Sequence, residues 1–221
     1  SLLFNYPAAL ADPARAVFLP PHRYLGSTPR DDSGDAEVEC WIAASDEPFV
    51  YVSFGSFLSV RSDVLARVAD ALRARGLRAA IALGSADRDA LGELPATWLV
   101  REFLPQVRLL RSATASVTHG GNNSVTEALT FGVPMLVLPF STDQFAGAAA
   151  LERAGFAVAL APNDSSANDL ADGLDRVLAL PREPLERLSD DLRQRPGSSR
   201  AFAALSETSP SIADGSPDAA R

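Results

Sequence analysis

The stretch ASVTHGGNNSVTEALTF, residues 115–131, holds a strand, a turn and a helix in close succession. Residues 115–118 form a short β-branched and small-residue run that reads as a buried strand. Gly120 and Gly121 then turn the chain, and residues 123–131 read as a helix opened by Asn123 and Ser124. Glycines let a backbone turn tightly and approach a ligand, while the free N–H groups of a helix's first turn point at an anion. His119 adds one more hydrogen-bond donor. An ordinary Gly-rich turn capped by Asn and Ser is the competing reading. Glu127 lies four residues after Asn123, on the same helix face. A carboxylate there accepts from a diol or stands solvated, and these residues alone leave both open.

The same strand-then-helix pattern continues on either side. Apolar runs fit strands at 49–54, 78–83, 98–101, 135–138 and 156–160. Helices fit at 106–112, 143–154 and 168–180. Another starts at Ser62 as N-cap, with Val64, Leu65, Val68 and Leu72 on one face and Gly76 closing it. Short apolar strands separated by helices imply parallel pairing, because parallel neighbours need crossovers of this length. The fold class expected is α/β, a doubly wound parallel sheet with helices on both faces. Residues 1–46, rich in proline and ending in an acidic stretch, read as a lead-in or interdomain linker. Residues 47–207 form the folded domain, with further helices to Arg193 and over 199–205. Residues 208–221 read as a fraying, disordered tail.

Composition removes much chemistry. Acidic residues outnumber basic ones by 28 to 20, a net charge of −8. That excludes a basic nucleic-acid footprint and a polybasic membrane patch. Every cation is Arg, so a P-loop lysine and a Schiff base are absent. Cys40 is the sole cysteine, which leaves no internal disulfide and no Cys-rich zinc site; it reads as a packing residue. His22 and His119 are the only histidines. No metal site or cofactor is expected, and the pair Asp87 and Asp89 reads as a solvated turn. No run approaches the roughly 18–20 apolar residues of a membrane span, and no signal peptide is visible, which suggests a cytoplasmic protein. The chain opens at Ser1 and its one methionine is Met135, the pattern of a piece of something longer.

In a doubly wound sheet, ligands bind beyond the carboxyl ends of the strands. That edge collects Gly55, Ser56 and Phe57 after the first strand and Phe103, Pro105 and Gln106 after the third. It also collects residues 119–124 after the fourth and 141–144 after the fifth. Between Arg101 and Gln144 three arginines balance three acids, so a diphosphate there would be held mainly by backbone dipoles and hydroxyls.

Taken together, His119-Gly120-Gly121-Asn122-Asn123-Ser124, Glu127, Gly132-Val133-Pro134, Pro139 and Asp143-Gln144 resemble the signature box of the UDP-glycosyltransferases. Val52-Ser53-Phe54-Gly55-Ser56 and Phe103-Leu104-Pro105-Gln106 match in order upstream. The resemblance covers about residues 50–160. It implies the Rossmann-like, donor-binding C-terminal half of a GT-B enzyme. By it, Ser56, His119, Gly120, Gly121, Asn123 and Ser124 contact the donor diphosphate, and Glu127 takes the ribose hydroxyls. Phe103 stacks on the nucleobase with Gln106 beside it, and Asp143 and Gln144 bond the hexose. The donor implied is a UDP- or dTDP-hexose, passed with inversion to a hydroxyl of a small-molecule acceptor bound by an N-terminal domain. Plant members usually carry Trp where Phe103 and Asn122 stand; the smaller ring leaves thymine as open as uracil.

The family's acceptor domain and catalytic His have no room before residue 46. His22 sits in a segment resembling the interdomain lead-in, and His119 is needed at the phosphates. The chain alone is therefore expected to bind donor and transfer sugar poorly, with no catalytic residue of its own. A non-catalytic nucleotide-sugar-binding module is the alternative. A nucleotide-sugar epimerase or hydrolase would need its own base near the anomeric carbon. A dehydrogenase would place its Gly-rich turn after the first strand, not the fourth.

Overall fold

The computed structural model describes residues 2–30, 34–55 and 61–208. Six parallel strands form the main sheet: β3 (Phe49–Ser53), β4 (Arg78–Ala82), β5 (Leu99–Arg101), β6 (Ala115–Thr118), β7 (Met135–Val137) and β8 (Ala157–Ala159). Their order across the sheet is β5-β4-β3-β6-β7-β8. From β3 the chain builds outward in one direction to β5, then returns to the centre as β6 and builds in the other. The order thus reverses between β3 and β6, the crevice where a doubly wound sheet takes its ligand. This is the expected α/β architecture. The six strands match their sequence readings to within two residues at each end.

Side chains alternate across each strand, so each feeds two cores. On one face Val50, Val52, Ile81 and Leu136 pack with α3 (Ser62–Ala74) and α7 (Ala167–Leu178) through Leu65, Leu72, Leu170 and Leu174. On the other, Tyr51, Met135 and Val137 meet α5 (Asn122–Thr130) and α6 (Thr142–Ala154) through Leu129 and Leu151. Leu109 and Leu110 of α4 (Gln106–Leu110) and Leu185 and Leu192 of α8 (Glu183–Gln194) complete that layer. Opposite winding directions put the crossover helices on opposite faces, and that covers both sides of a sheet whose strands are mostly apolar and buried.

Gly76 ends α3 as expected. Its φ is +61°, and the amides of Gly76 and Leu77 return to the carbonyls of Arg73 and Leu72, a Schellman closure. Ser62, by contrast, is not the cap. Arg61 holds that position without a side-chain bond, and the Ser62 hydroxyl accepts from the Asp87 amide (3.1 Å) in a neighbouring turn. Asp87 itself caps that turn by accepting from the Asp89 amide, as a solvated acidic turn would. Trp98 packs in the core and donates to the Leu77 carbonyl (2.9 Å).

The lead-in segment carries more structure than its proline content suggests. Strand β1 (Leu2–Phe4) pairs in parallel with β2 (His22–Tyr24) as a separate two-stranded sheet, and Pro13–Ala16 makes one helical turn, α1. Helix α2 (Ala36–Ala43) follows, capped by Asp35, with Val38 fully buried in the second core. Cys40 does not pack: it is exposed, because α2 turns Val38, Trp41 and Ile42 toward the domain and Cys40 away from it. The last helix, α9 (Gly197–Thr208), is anchored where the Gly197 amide donates to the Ser27 carbonyl (2.8 Å). Of the expected tail only Thr208 is described; residues 209–221 lie outside the described residues.

Leu136 is fully buried at the centre of the first core, against Gly173 of α7. Leu136→Ala is expected to lower the unfolding free energy by about 2–5 kcal/mol, read from urea denaturation.

Candidate functional site at the sheet's carboxyl edge

Strand β6 ends at Thr118, whose hydroxyl accepts from the Gly120 amide (3.3 Å) and tightens the turn. Gly120 lies at φ +86°, and a Cβ there would meet Val137 at 2.9 Å. Gly121 has an ordinary φ of −62°, so its reason is different: a Cβ would lie 2.8 Å from Cε1 of His119. Gly55, at the end of β3, flanks the same ring and would place a Cβ 3.1 Å from it. The imidazole is thus cradled between the two central loops. Side chains at these glycines would push it out.

Helix α5 starts at Asn122 with Gly121 as N-cap, and among the described residues no side chain caps it. The competing reading, a turn capped by Asn and Ser, is therefore not what forms. Asn123 is exposed and Ser124 half-buried, while Asn122 reaches across to donate to the Asn5 carbonyl (2.9 Å) of the lead-in segment. The amides of the first turn face outward with their partial positive charge uncompensated by a capping oxygen.

Glu127 is not a solvated residue. It is 4% exposed, and Gln106 donates from Nε2 to its Oε2. The same nitrogen lies 3.4 Å from the Ser124 hydroxyl, and Tyr51 donates to Gln106 Oε1 (3.4 Å). Tyr51, Gln106, Ser124 and Glu127 form one polar cluster beneath the opening of α5. Tyr51 is not among the residues that the motifs select. Its signal was the two-residue period of β3, which puts Phe49, Tyr51 and Ser53 on one face. Phe103 stands beyond β5 with its ring exposed (64%).

At the other side, Asp143 and Gln144 open α6. Gln144 is buried and turns its Oε1 back to accept from the amides of Phe140 (2.8 Å) and Ser141 (3.2 Å). Its carbonyl oxygen is committed to capping the helix, which leaves its amide nitrogen for a ligand. Asp143 is exposed. The Ser141 hydroxyl donates to it (2.8 Å) and, with backbone amides and His119, holds its carboxyl below the usual carboxylate range. A cleft of about 640 Å³ runs from Gly120, Asn122 and Asp143 to Tyr6 and Tyr24 of the lead-in segment. The expected residues therefore fall along one line: Phe103 and Gln106 after β5, His119 to Glu127 after β6, Asp143 and Gln144 after β7. Ser56 lies outside the described residues.

The three arginines between 101 and 144 turn elsewhere. Arg101 pairs with Asp35 and Glu37, Arg108 with Glu39, and Arg111 stacks over Phe131. An anion at α5 would thus meet amides and one imidazole rather than a guanidinium clamp. Among the described residues no three His, Cys, Asp or Glu gather as a metal site, and no helix is long and apolar enough to cross a membrane. His22 donates from Nδ1 to the Pro20 carbonyl (3.0 Å) and packs against Phe4 and Tyr24.

Residues 15–198 match the family model of the UDP-glucoronosyl and UDP-glucosyl transferases. The chain belongs to that family. Among relatives, it is 32% identical over 214 residues to the L-demethylnoviosyl transferase of Streptomyces niveus, covering 86% of this chain and 54% of that protein. It is 31% identical over 134 residues to the UDP-glucosyltransferase YdhE of Bacillus subtilis, covering 60% and 34% respectively. The fold of the kitacinnamycin glycosyltransferase superimposes with a TM-score of 0.80 at 28% identity, over 94% of this chain and 54% of that one. The chain thus spans about half the length of these relatives or less.

Burial holds the His119 pKa below the ordinary imidazole value, partly opposed by Asp143. The folded chain consequently refuses a proton that the unfolded chain accepts. Stability at this residue is complete above about pH 6.5 and drains away as pH falls toward the depressed folded value. Thermal midpoints between pH 7.5 and 5.5 are expected to fall, with a shallower slope in His119→Gln, on the order of 1 kcal/mol per unit of pKa difference.

Proposed function

We propose that this chain is the donor-binding half of an inverting glycosyltransferase that uses a UDP- or dTDP-hexose and glycosylates a hydroxyl of a small natural-product acceptor. The observation that carries this reading is the N-terminus of α5, uncapped among the described residues, which follows the Gly120 turn and has Gln106 and the buried Glu127 beneath it. The diphosphate sits on the amides of α5 with His119, Asn123, Ser124, Gly120, Gly121 and Ser56 around it. Glu127 accepts from the ribose hydroxyls, exchanging its Gln106 partner for the diol or sharing it. Phe103 offers its exposed face to the base, with Gln106 alongside. Asp143 and the amide nitrogen of Gln144 meet the hexose.

In such a transfer a base removes the acceptor proton as its oxygen attacks the anomeric carbon, and the nucleoside diphosphate departs. Negative charge grows on the leaving phosphate. Oriented amides at a helix terminus stabilise that charge without reorganising, so α5 serves the transition state as well as the ground state. Both histidines have other places in this reading: His22 in the aromatic cluster of the lead-in segment, His119 at the diphosphate. The isolated chain is accordingly expected to bind donor and not to transfer it, which distinguishes this reading from a self-sufficient epimerase or hydrolase.

Calorimetry with UDP, dTDP and their glucose conjugates tests the proposal. Binding of at least one nucleotide diphosphate is expected, and Glu127→Gln should weaken it about tenfold, or ~1.4 kcal/mol. Absence of binding by all four, with the fold intact by circular dichroism, would overturn it. Transfer at enzyme-like rates by the isolated chain would overturn the assignment of the catalytic base to another part of the enzyme.

A further inference from the structure

Helix α2 lies outside the repeating strand–helix pattern, yet it is tied to both ends of the loop that carries Phe103. Arg101, the last residue of β5, donates to Asp35 Oδ2 (2.7 Å) and Glu37 Oε2 (3.3 Å). Arg108, in α4, donates from Nε and Nη2 to the two carboxylate oxygens of Glu39 (2.6 and 2.7 Å), a two-pronged pair. Phe103 and Gln106 lie between those two arginines. Within the loop the Glu102 carbonyl accepts from the Gly84 amide (2.9 Å) and Leu104 packs on the second core, while the Phe103 ring between them is mostly exposed.

Helix α2, on the other hand, is firmly seated. Val38 is fully buried, and Trp41 donates to the Thr97 carbonyl (2.9 Å). Arg78, itself buried, stacks 3.7 Å from the Trp41 ring centroid and donates to the Trp41 and Ser45 carbonyls at the end of the helix. A firmly seated helix thus grips the loop that carries Phe103 at both of its ends.

We propose that Asp35 and Glu39 are positioning residues for nucleobase recognition: through Arg101 and Arg108 they hold the 102–105 loop so that Phe103 is presented to the base. This rests on the nucleotide-sugar reading given above. Single exposed ion pairs contribute little to stability, but paired restraints on one loop reduce the ordering cost of binding. The carboxyls of both residues are held below their usual range, Asp35 first by the Val38 amide and then by Arg101, Glu39 by Arg108. The base-binding end of the site therefore depends on the lead-in segment. The diphosphate end, built on α5, meets that segment instead at Asn5, which accepts from Asn122 (2.9 Å).

The test is Asp35→Asn with Glu39→Gln in the full chain. Asn caps a helix about as well as Asp, so α2 keeps its N-terminus. Calorimetry with UDP and with inorganic pyrophosphate separates the two ends of the site. UDP affinity is expected to fall about three- to tenfold while pyrophosphate affinity stays within about twofold. Phe103→Ala should cause a similar loss for UDP, and adding it to the pair should cost little more, since both act on one contact. Exchanging the charges, Glu39→Arg with Arg108→Glu, should restore affinity relative to Glu39→Arg alone. Unchanged UDP affinity, parallel weakening of UDP and pyrophosphate, or full additivity with Phe103→Ala would each overturn the proposal. A wild-type chain that binds pyrophosphate but not UDP would overturn it too, and one that binds neither would remove the nucleotide-sugar reading beneath it.

Discussion

An α-helix that opens without a cap must find partners for its first amides, and α5 opens at the point where the sheet reverses its direction of growth. The rest of the edge is arranged around that condition. Glycines at 55 and 121 leave room for the His119 ring, and Gly120 at positive φ lets the chain leave β6 and enter α5 in a tight turn. The neighbouring arginines are drawn off to other partners. What remains at the opening is a set of oriented dipoles in a partly enclosed crevice, and such dipoles favour a group with dispersed negative charge over a bulky cation or an apolar ligand.

The polar cluster under α5 extends this logic inward. Buried carboxylates are costly unless they are hydrogen-bonded, and Glu127 meets that requirement through Gln106, which in turn is held by Tyr51. The arrangement keeps an acceptor group ready beside the helix N-terminus without solvating it. Gln144 shows the opposite division of labour. Its oxygen stabilises the start of α6, and only its nitrogen is left over for chemistry. A side chain can thus serve fold and function at once when its two ends differ.

The lead-in segment changes the picture of a self-contained repeat. Residues 35–43 pack on the second core and reach the two ends of the 102–105 loop by three ion pairs, and Asn5 accepts from Asn122 at the start of α5. Both contacts place residues from before β3 against the edge where ligand is expected. The chain spans about half of the relatives compared above.

Much of the fold was legible because its signals are local. Continuous apolar runs over 49–52 and 79–82 are written into adjacent positions, and the Gly76 closure needs only a positive φ. The strand–turn–helix at 115–130 likewise needs nothing beyond its own residues. Ser62 misled because a hydroxyl next to a helix start has two available amides, and the Asp87 amide lies 25 residues away. Cys40 misled because a proline-rich stretch hid the helix whose periodicity turns it outward. Helix spacing put Glu127 on the face of Asn123, but only the packed sheet brought Gln106, 21 residues earlier, against it. Nor could any local pattern join Arg101 to Asp35 across 66 residues. Backbone propensity and period act over one or two turns of chain. The choice of which loops share an edge follows from strand order and helix docking, which exist only after the whole core has formed.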